Sequence, residues 1–223
     1  MRPSRAAAKA AACAFLPAVL LSTGCGGSDD TAAAPTAERL RRALVTTADI
    51  AATGLTVAES NTGADAVPAA DNAACQPVLD LLSARAAGTP ASGLVAATAT
   101  NPPKTAELTA IVLVSYAHGD AQKIMDRGIA ALASCPTFTG PIAGGGKAEY
   151  AATKVQASSY GDQSATVKLV TTSQGESITA QYIVARVGGT LVDVVLADTK
   201  GGPGGLPASA LVAKQIDKVR AIG

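Results

Sequence analysis

Six stretches of the chain have the pattern of β-strands, with apolar residues at alternate positions or in short continuous runs. They cover residues 94–100, 108–116, 148–157, 164–172, 177–187 and 190–197. Apolar residues spaced three and four apart predict helices near 36–45, 76–87, 120–134 and 207–222. The order is helices, two strands, a helix, four strands and a helix. It favours an α+β fold, a largely antiparallel sheet of about six strands with helices packed on one face.

The last two strands are separated only by Gly188-Gly189, which predicts a two-residue hairpin turn. That turn places Arg186 opposite Leu191 in the ladder. Arg186 and Asp193 then share one face of the hairpin on a diagonal, and we expect a structural ion pair between them.

Strands 108–116, 177–187 and 190–197 are apolar on both faces. An antiparallel sheet with helices on one face usually has polar residues on the other. The second face is therefore either an apolar groove for a small hydrophobic or peptide ligand, or covered by the N-terminal segment and helices. We favour the covered sheet.

Residues 1–24 have the organisation of an export signal, with a basic start and a mostly apolar stretch from 10 to 21 that is too short to span a bilayer. Leu21-Ser22-Thr23-Gly24-Cys25 resembles a bacterial lipobox. The resemblance implies a lipid on Cys25, cleavage before it and tethering to the extracellular face of the cell membrane. The alternative is a secretory signal followed by a chance cysteine.

The predicted organisation after the signal is a flexible linker over 25–36 and a single α+β domain over 37–223. The chain has 18 basic and 17 acidic residues, and three of the basic ones lie in the signal. The slightly acidic remainder argues against a nucleic-acid partner. Frequent Ala, Gly, Val and Thr suggest a GC-rich genome such as an actinobacterial one.

The four cysteines divide by location. Cys13 lies in the signal and Cys25 is the lipidation candidate, which leaves Cys75 and Cys135. In an oxidising compartment we expect a disulfide between them, although two free thiols are the alternative. Closing this loop stabilises the fold by about 4 kcal/mol on the chain-entropy argument.

Signals of catalysis are weak, and we predict neither an enzyme nor a bound cofactor or metal. His118 is the only histidine, lies in a predicted loop and is interpreted as a loop residue; the chain lacks both G-x-S-x-G and C-x-x-C. Gly144-Gly145-Gly146-Lys147 lacks the remainder of a phosphate-binding loop and is interpreted as a turn. Two carboxylates such as Glu149 and Asp193 could still meet in space.

Several short segments occur in the order found in one known family. They are Leu44-Val45-Thr46-Thr47-Ala48-Asp49, the helix after Cys75, Cys135-Pro136-Thr137-Phe138, Tyr160-Gly161-Asp162-Gln163-Ser164, and Ile183–Gly188 with its hairpin partner. Together they resemble the extracellular sensor domain of PknH-type kinases and its actinobacterial lipoprotein relatives.

The resemblance implies an α+β domain with a groove beside the sheet that senses a small or lipid-like ligand. The chain departs from the kinases because its sequence shows no kinase domain or permanent transmembrane helix, and one cysteine pair where the kinase sensor has two disulfides. We therefore expect a membrane-anchored, non-enzymatic ligand-binding or sensor-like domain. The alternative is an accessory protein that docks on a cell-envelope complex.

Overall fold

The computed structural model describes residues 33–61, 67–100, 107–117, 119–142, 145–198 and 208–223. The helices are α1 (Ala37–Ala43), α2 (Gln76–Leu82), α3 (Asp120–Ser134) and α4 (Ala208–Arg220), with short 3-10 helices at Ala48–Thr53 and Ala73–Cys75. The strands are β1 (Thr56–Ser60), β2 (Ala91–Thr100), β3 (Glu107–Tyr116), β4 (Thr137–Pro141), β5 (Lys147–Val155), β6 (Gln163–Ser173), β7 (Glu176–Val187) and β8 (Thr190–Asp198).

All eight strands form one antiparallel sheet in the order β1-β2-β3-β8-β7-β6-β5-β4. The prediction of about six strands was therefore wrong. The two unpredicted strands, β1 and β4, lie at the two edges of the sheet. Neither has a strong apolar pattern, because β1 has no fully buried residue and β4 ends in Gly140-Pro141. Short edge strands of this kind lack the second neighbour that favours apolar side chains.

Helices cover both faces of the sheet, so the expectation of helices on one face was also wrong. On one side, here called the first face, α2 and α3 pack on the sheet; on the second face, α1 and α4 do. The apolar pattern on both sides of the central strands demands this arrangement, because each face needs a partner to exclude water. The interpretation of a sheet covered on both faces holds for the centre of the sheet.

The disulfide between Cys75 and Cys135 is present, with Cα atoms 5.6 Å apart, and both cysteines are buried. It ties the residue before α2 to the residue after α3. Between the two helices Gly128 allows a close approach, because a Cβ there would lie 2.4 Å from Cβ of Leu81. The disulfide and this contact hold α2 and α3 together as one layer.

On the second face, Gln215 joins α4 to the chain that follows α1. Its amide is fully buried, donates from Nε2 to the carbonyl of Ala43 (2.7 Å) and accepts from the backbone N–H of Val45 (3.0 Å). Nearby, the Lys218 ammonium donates to Asp49 at 2.6 Å and lowers the pKa of that carboxyl to about 2. These contacts attach α4 to the segment around the end of α1 on the second face.

The predicted signal, linker and lipidation site, including Cys25, lie largely outside the described residues and remain predictions. The described chain is attached to the sheet from Pro35, whose carbonyl accepts a hydrogen bond from Oγ of Ser115. In the part of the chain that the structure describes, no helix is both long and apolar enough to cross a membrane.

Candidate functional site

The first face carries rows of side chains that run across β2, β3, β8, β7 and β6. Residues of one row are paired in the ladder, so their side chains are neighbours. Starting from the end at which β7 turns into β8, rows 1 to 4 are Leu94-Val114-Leu191-Arg186-Gln163, Ala96-Val112-Asp193-Val184-Ala165, Thr98-Ala110-Val195-Tyr182-Val167 and Thr100-Leu108-Ala197-Ala180-Leu169.

Along β3, β8 and β7, the fully buried residues of the four rows lie in rows 1 and 2. In rows 1 and 2, Val114, Leu191 and Val184 are fully buried. Row 3 is partly exposed in all three strands, and in row 4 Leu108 is 41% exposed. The exposed apolar region, here called the open patch, consists of Leu108, Ala110, Ile178, Ala180, Tyr182, Val195 and Ala197.

The helix layer is attached at different heights on the two sides of the sheet. At β3, the hydroxyl of Tyr116 donates to the carbonyl of Ala84, just after α2, at 2.9 Å. At β5, the N–H of Ala152 donates to the carbonyl of Pro136, just after α3, at 2.9 Å, and Ala152 pairs with Leu169 of row 4. Rows 3 and 4 are therefore covered at β6 and left partly exposed at β7, β8 and β3.

Asp193 lies in row 2, at the border between the covered rows and the open patch. Its side chain is 2% exposed and lies between Val112 and Val184 of the neighbouring strands. Among the described residues it has no hydrogen bond or ion pair, and Oδ1 is a buried acceptor without a donor. Burial alone raises the pKa of this carboxyl well above its usual range.

Tyr182 is the diagonal neighbour of Asp193, one row further into the open patch. Burial raises the pKa of its hydroxyl, and the nearby Asp193 raises it further. Asp193 and Tyr182 thus place polar atoms at the inner border of a surface that is otherwise aliphatic. This combination of an apolar surface with a few polar groups is typical of sites for small molecules.

The register predicted for the β7–β8 hairpin is confirmed, since Arg186 pairs with Leu191. The structure does not show the predicted ion pair between Arg186 and Asp193. Nη1 of Arg186 lies 3.3 Å from Oδ2 of Asp162, and the same carboxylate oxygen accepts from the N–H of Gly188 at 2.7 Å. Arg186 therefore closes the turn at the surface, and Asp193 keeps no cation of its own among the described residues.

The other candidate residues do not come together with Asp193. Glu149 is on β5 opposite Thr139 and Thr172, on the second face, so it cannot form a carboxylate pair with Asp193. Lys147 at the end of the glycine-rich segment binds Asp71 at 2.9 Å. His118 lies outside the described residues, which contain no cluster of side chains suited to a metal ion.

A second depression lies on the other face, between the end of α1 and β1. It has a volume of about 400 Å³, and its lining includes Leu44, Val57 and Ala97. The exposed ion pair between Arg41 and Glu59 borders it. It contains no buried polar group without a partner, so it has no feature that would select a ligand, and the open patch is the better candidate.

The sequence indicated apolar residues on both faces but missed the special position of Asp193. The signal that could have found it is a single acidic residue in the apolar run Leu191-Val192-Asp193-Val194-Val195. A carboxylate on the inner face of a central strand is buried by the pattern around it, whether or not a partner is available.

Comparisons with known proteins show the fold. The structure resembles the crystal structure of the extracellular domain of PknH from Mycobacterium tuberculosis, with a TM-score of 0.57 and 16% sequence identity. The similarity covers 84% of this chain and 98% of that domain. No protein-family model and no curated protein matches the sequence. The expected similarity to the PknH-type sensor fold is confirmed, and the lipoprotein and actinobacterial assignments remain predictions.

Proposed function

We propose that this protein is a lipid-anchored, extracytoplasmic domain that binds a small hydrophobic ligand on the open patch and has no enzymatic activity. The observation that carries the proposal is an aliphatic surface on the first face, bordered by a buried carboxyl without a partner. The similarity to an extracellular sensor-kinase domain supports placement outside the cytoplasm.

The patch is suited to a ligand because its side chains are apolar and yet exposed to solvent. Leu108 and Ile178 are 41% and 51% exposed, and the side chains between them on β8 and β7 are aliphatic or aromatic. A contiguous apolar patch on the surface of a secreted domain is often a site of interaction. Covering it removes apolar area from water, which favours association.

Native mass spectrometry of the protein extracted in polymer-bounded lipid discs, without detergent, tests ligand binding. We expect bound species of small mass that are lost in Leu108→Glu. The matched control is Val155→Glu, because Val155 is 37% exposed but lies on the second face. An empty wild-type protein, together with no thermal shift across envelope lipids and apolar peptides, would contradict the proposal.

The anchor is tested separately at Cys25. We expect radiolabelled palmitate to be incorporated into the wild-type chain and not into Cys25→Ser. Equal labelling of the two chains, or a wild-type chain released unlabelled into the medium, would remove the lipid anchor and leave a secreted domain.

An accessory role at a cell-envelope complex is the second candidate function. It is favoured by the exposure of Leu108 and Ile178, since the buried core of a protein–protein interface is more apolar than the rest of a protein surface. Crosslinking in live cells from position 178 distinguishes the two, because an accessory protein gives one dominant protein adduct and a small-molecule site does not.

A further inference from the structure

Asp193 is buried, and no group among the described residues offsets the loss of its hydration. Buried carboxyls are normally paired or hydrogen-bonded, and each exception needs an explanation. The position of Asp193 in the sheet provides an explanation for its burial. It is in the last row that the helix layer covers on β8, and the next row, with Ala110, Val195 and Tyr182, is partly exposed.

The charged and titratable groups around Asp193 do not compensate its burial. On β7, Arg186 is engaged by Asp162 and by the carbonyl of Gly188, and Tyr182 is itself disfavoured as an anion. On α2, the carboxylate of Asp80 accepts a hydrogen bond from Gln76. Oδ1 of Asp193 and Nε of Arg186 are both buried without a partner among the described residues, and burial raises the pKa of the Asp193 carboxyl.

We propose that Asp193 is the head-group anchor of a site for a small amphiphile that has an alkyl body and a protonated amine head. This inference rests on the proposed function and names the class of ligand. The amine binds the Asp193 carboxylate, and the alkyl body lies over rows 3 and 4. Successive rows are about 7 Å apart, so two rows accommodate a chain of about eight carbons.

An amine is favoured over an acid or an alcohol by the chemistry of Asp193. A charge-assisted hydrogen bond between ammonium and carboxylate is stronger than a neutral one, and more so where water is excluded. An anionic head would meet a carboxyl that cannot neutralise it. The proton balance is simple, because the ammonium keeps its proton and any proton that the Asp193 carboxyl holds is released to the buffer as the ion pair forms.

Isothermal titration calorimetry with three matched probes tests the inference on the full chain carrying Cys25→Ser. The probes are n-octylammonium chloride, 1-octanol and sodium octanoate, each titrated at pH 7 in phosphate and in Tris. We expect octylammonium to bind about tenfold more tightly than octanol, with octanoate weakest. Any proton that Asp193 releases should appear as a difference in heat between the two buffers for octylammonium alone.

Asp193→Asn keeps the shape of the side chain and removes its charge. We expect it to lose the preference for octylammonium and the proton release, while octanol binding stays within about threefold, since the alkyl body keeps its surface. Leu108→Glu should weaken octanol binding, and Val155→Glu on the second face should not. The wild-type comparison of the three probes does not depend on the folding of any substitution at Asp193.

The outcomes separate this inference from the proposed function. Octanol and octylammonium that bind equally, or a preference for octylammonium that Asp193→Asn retains, would overturn the role of Asp193 and leave the open patch as a ligand site. The absence of binding by all three probes would overturn both.

Discussion

Replacing Asp193 by Asn should stabilise the protein by an amount that grows with pH. The buried carboxyl of Asp193 has no partner among the described residues, and its pKa in the folded state is raised above the 3.8 of a solvated side chain. Below pH 3.8 both the folded and unfolded chains bind this proton, and the group makes no difference. Above it the unfolded chain releases the proton while the folded chain keeps it, so stability falls as pH rises.

The magnitude follows from the difference of one bound proton. The free energy of unfolding of the wild-type chain should lose about 1.4 kcal/mol per pH unit to this group, from pH 3.8 up to the pKa of Asp193 in the folded protein. Asp193→Asn has no such proton. The difference in stability between the two chains should therefore widen with that slope and become constant once the folded carboxyl ionises.

Urea unfolding followed by circular dichroism at half-unit steps from pH 4 to pH 8 measures this difference. The m-values of the two chains should agree, because the substitution does not change the surface exposed on unfolding. Stability curves that run parallel over the whole range would refute the reasoning, since they would mean that Asp193 titrates alike in the folded and unfolded chains.

Three other changes test the fold around the site. Asp49→Asn should act in the opposite direction, because the pKa of Asp49 in the folded chain is about 2. Up to about 2 kcal/mol of wild-type stability, present above pH 4, is therefore lost as pH falls from 3.8 towards 2. A difference in stability between the two chains that persists at pH 2 in acid titrations would contradict this. Replacing Cys75 and Cys135 by Ser should cost up to about 4 kcal/mol and lower the thermal midpoint by about 8–16 °C in calorimetry, and an unchanged midpoint would show that the crosslink does not stabilise the fold. Gly128→Ala should cost about 1–3 kcal/mol in urea unfolding, because its Cβ would lie 2.4 Å from Cβ of Leu81, whereas a neutral result would mean that α2 moves away freely.

The sequence predicted the six inner strands because each has a neighbour on both sides, which produces apolar runs in the central strands and apolar residues at alternate positions in β5. The two edge strands, β1 and β4, lack such an apolar pattern. In β4 the burial does alternate, with Phe138 and Gly140 inward and Thr137 and Thr139 outward, but glycine carries no hydrophobic signal. In β1 no residue is fully buried, so there was no pattern to detect. The number of strands was therefore underestimated at both edges.

The partner of Arg186 shows the limit of reasoning from register alone. The ladder correctly placed Arg186 and Asp193 on one face, but an ion pair also depends on carboxylates outside the ladder. Gly161 allows the turn before β6 to approach β7. Its φ is +63°, and a Cβ there would lie 2.2 Å from the carbonyl oxygen of Arg186. This approach brings Asp162 to the guanidinium, and it could not be inferred from the spacing of β7 and β8.

The open patch itself follows from a diagonal placement of the helix layer on the first face. The segments that follow α2 and α3 contact β3 at Tyr116, beyond row 1, and β5 at Ala152, which pairs with row 4. Val167 and Leu169 of β6 are therefore buried in rows 3 and 4, whereas Leu108 of β3 in row 4 is exposed. A soluble domain would normally place polar residues at exposed positions, yet rows 3 and 4 are aliphatic on β3 and β8. The retention of apolar residues where the helix layer leaves them exposed, next to a carboxyl without a partner among the described residues, is the reason to propose a ligand there.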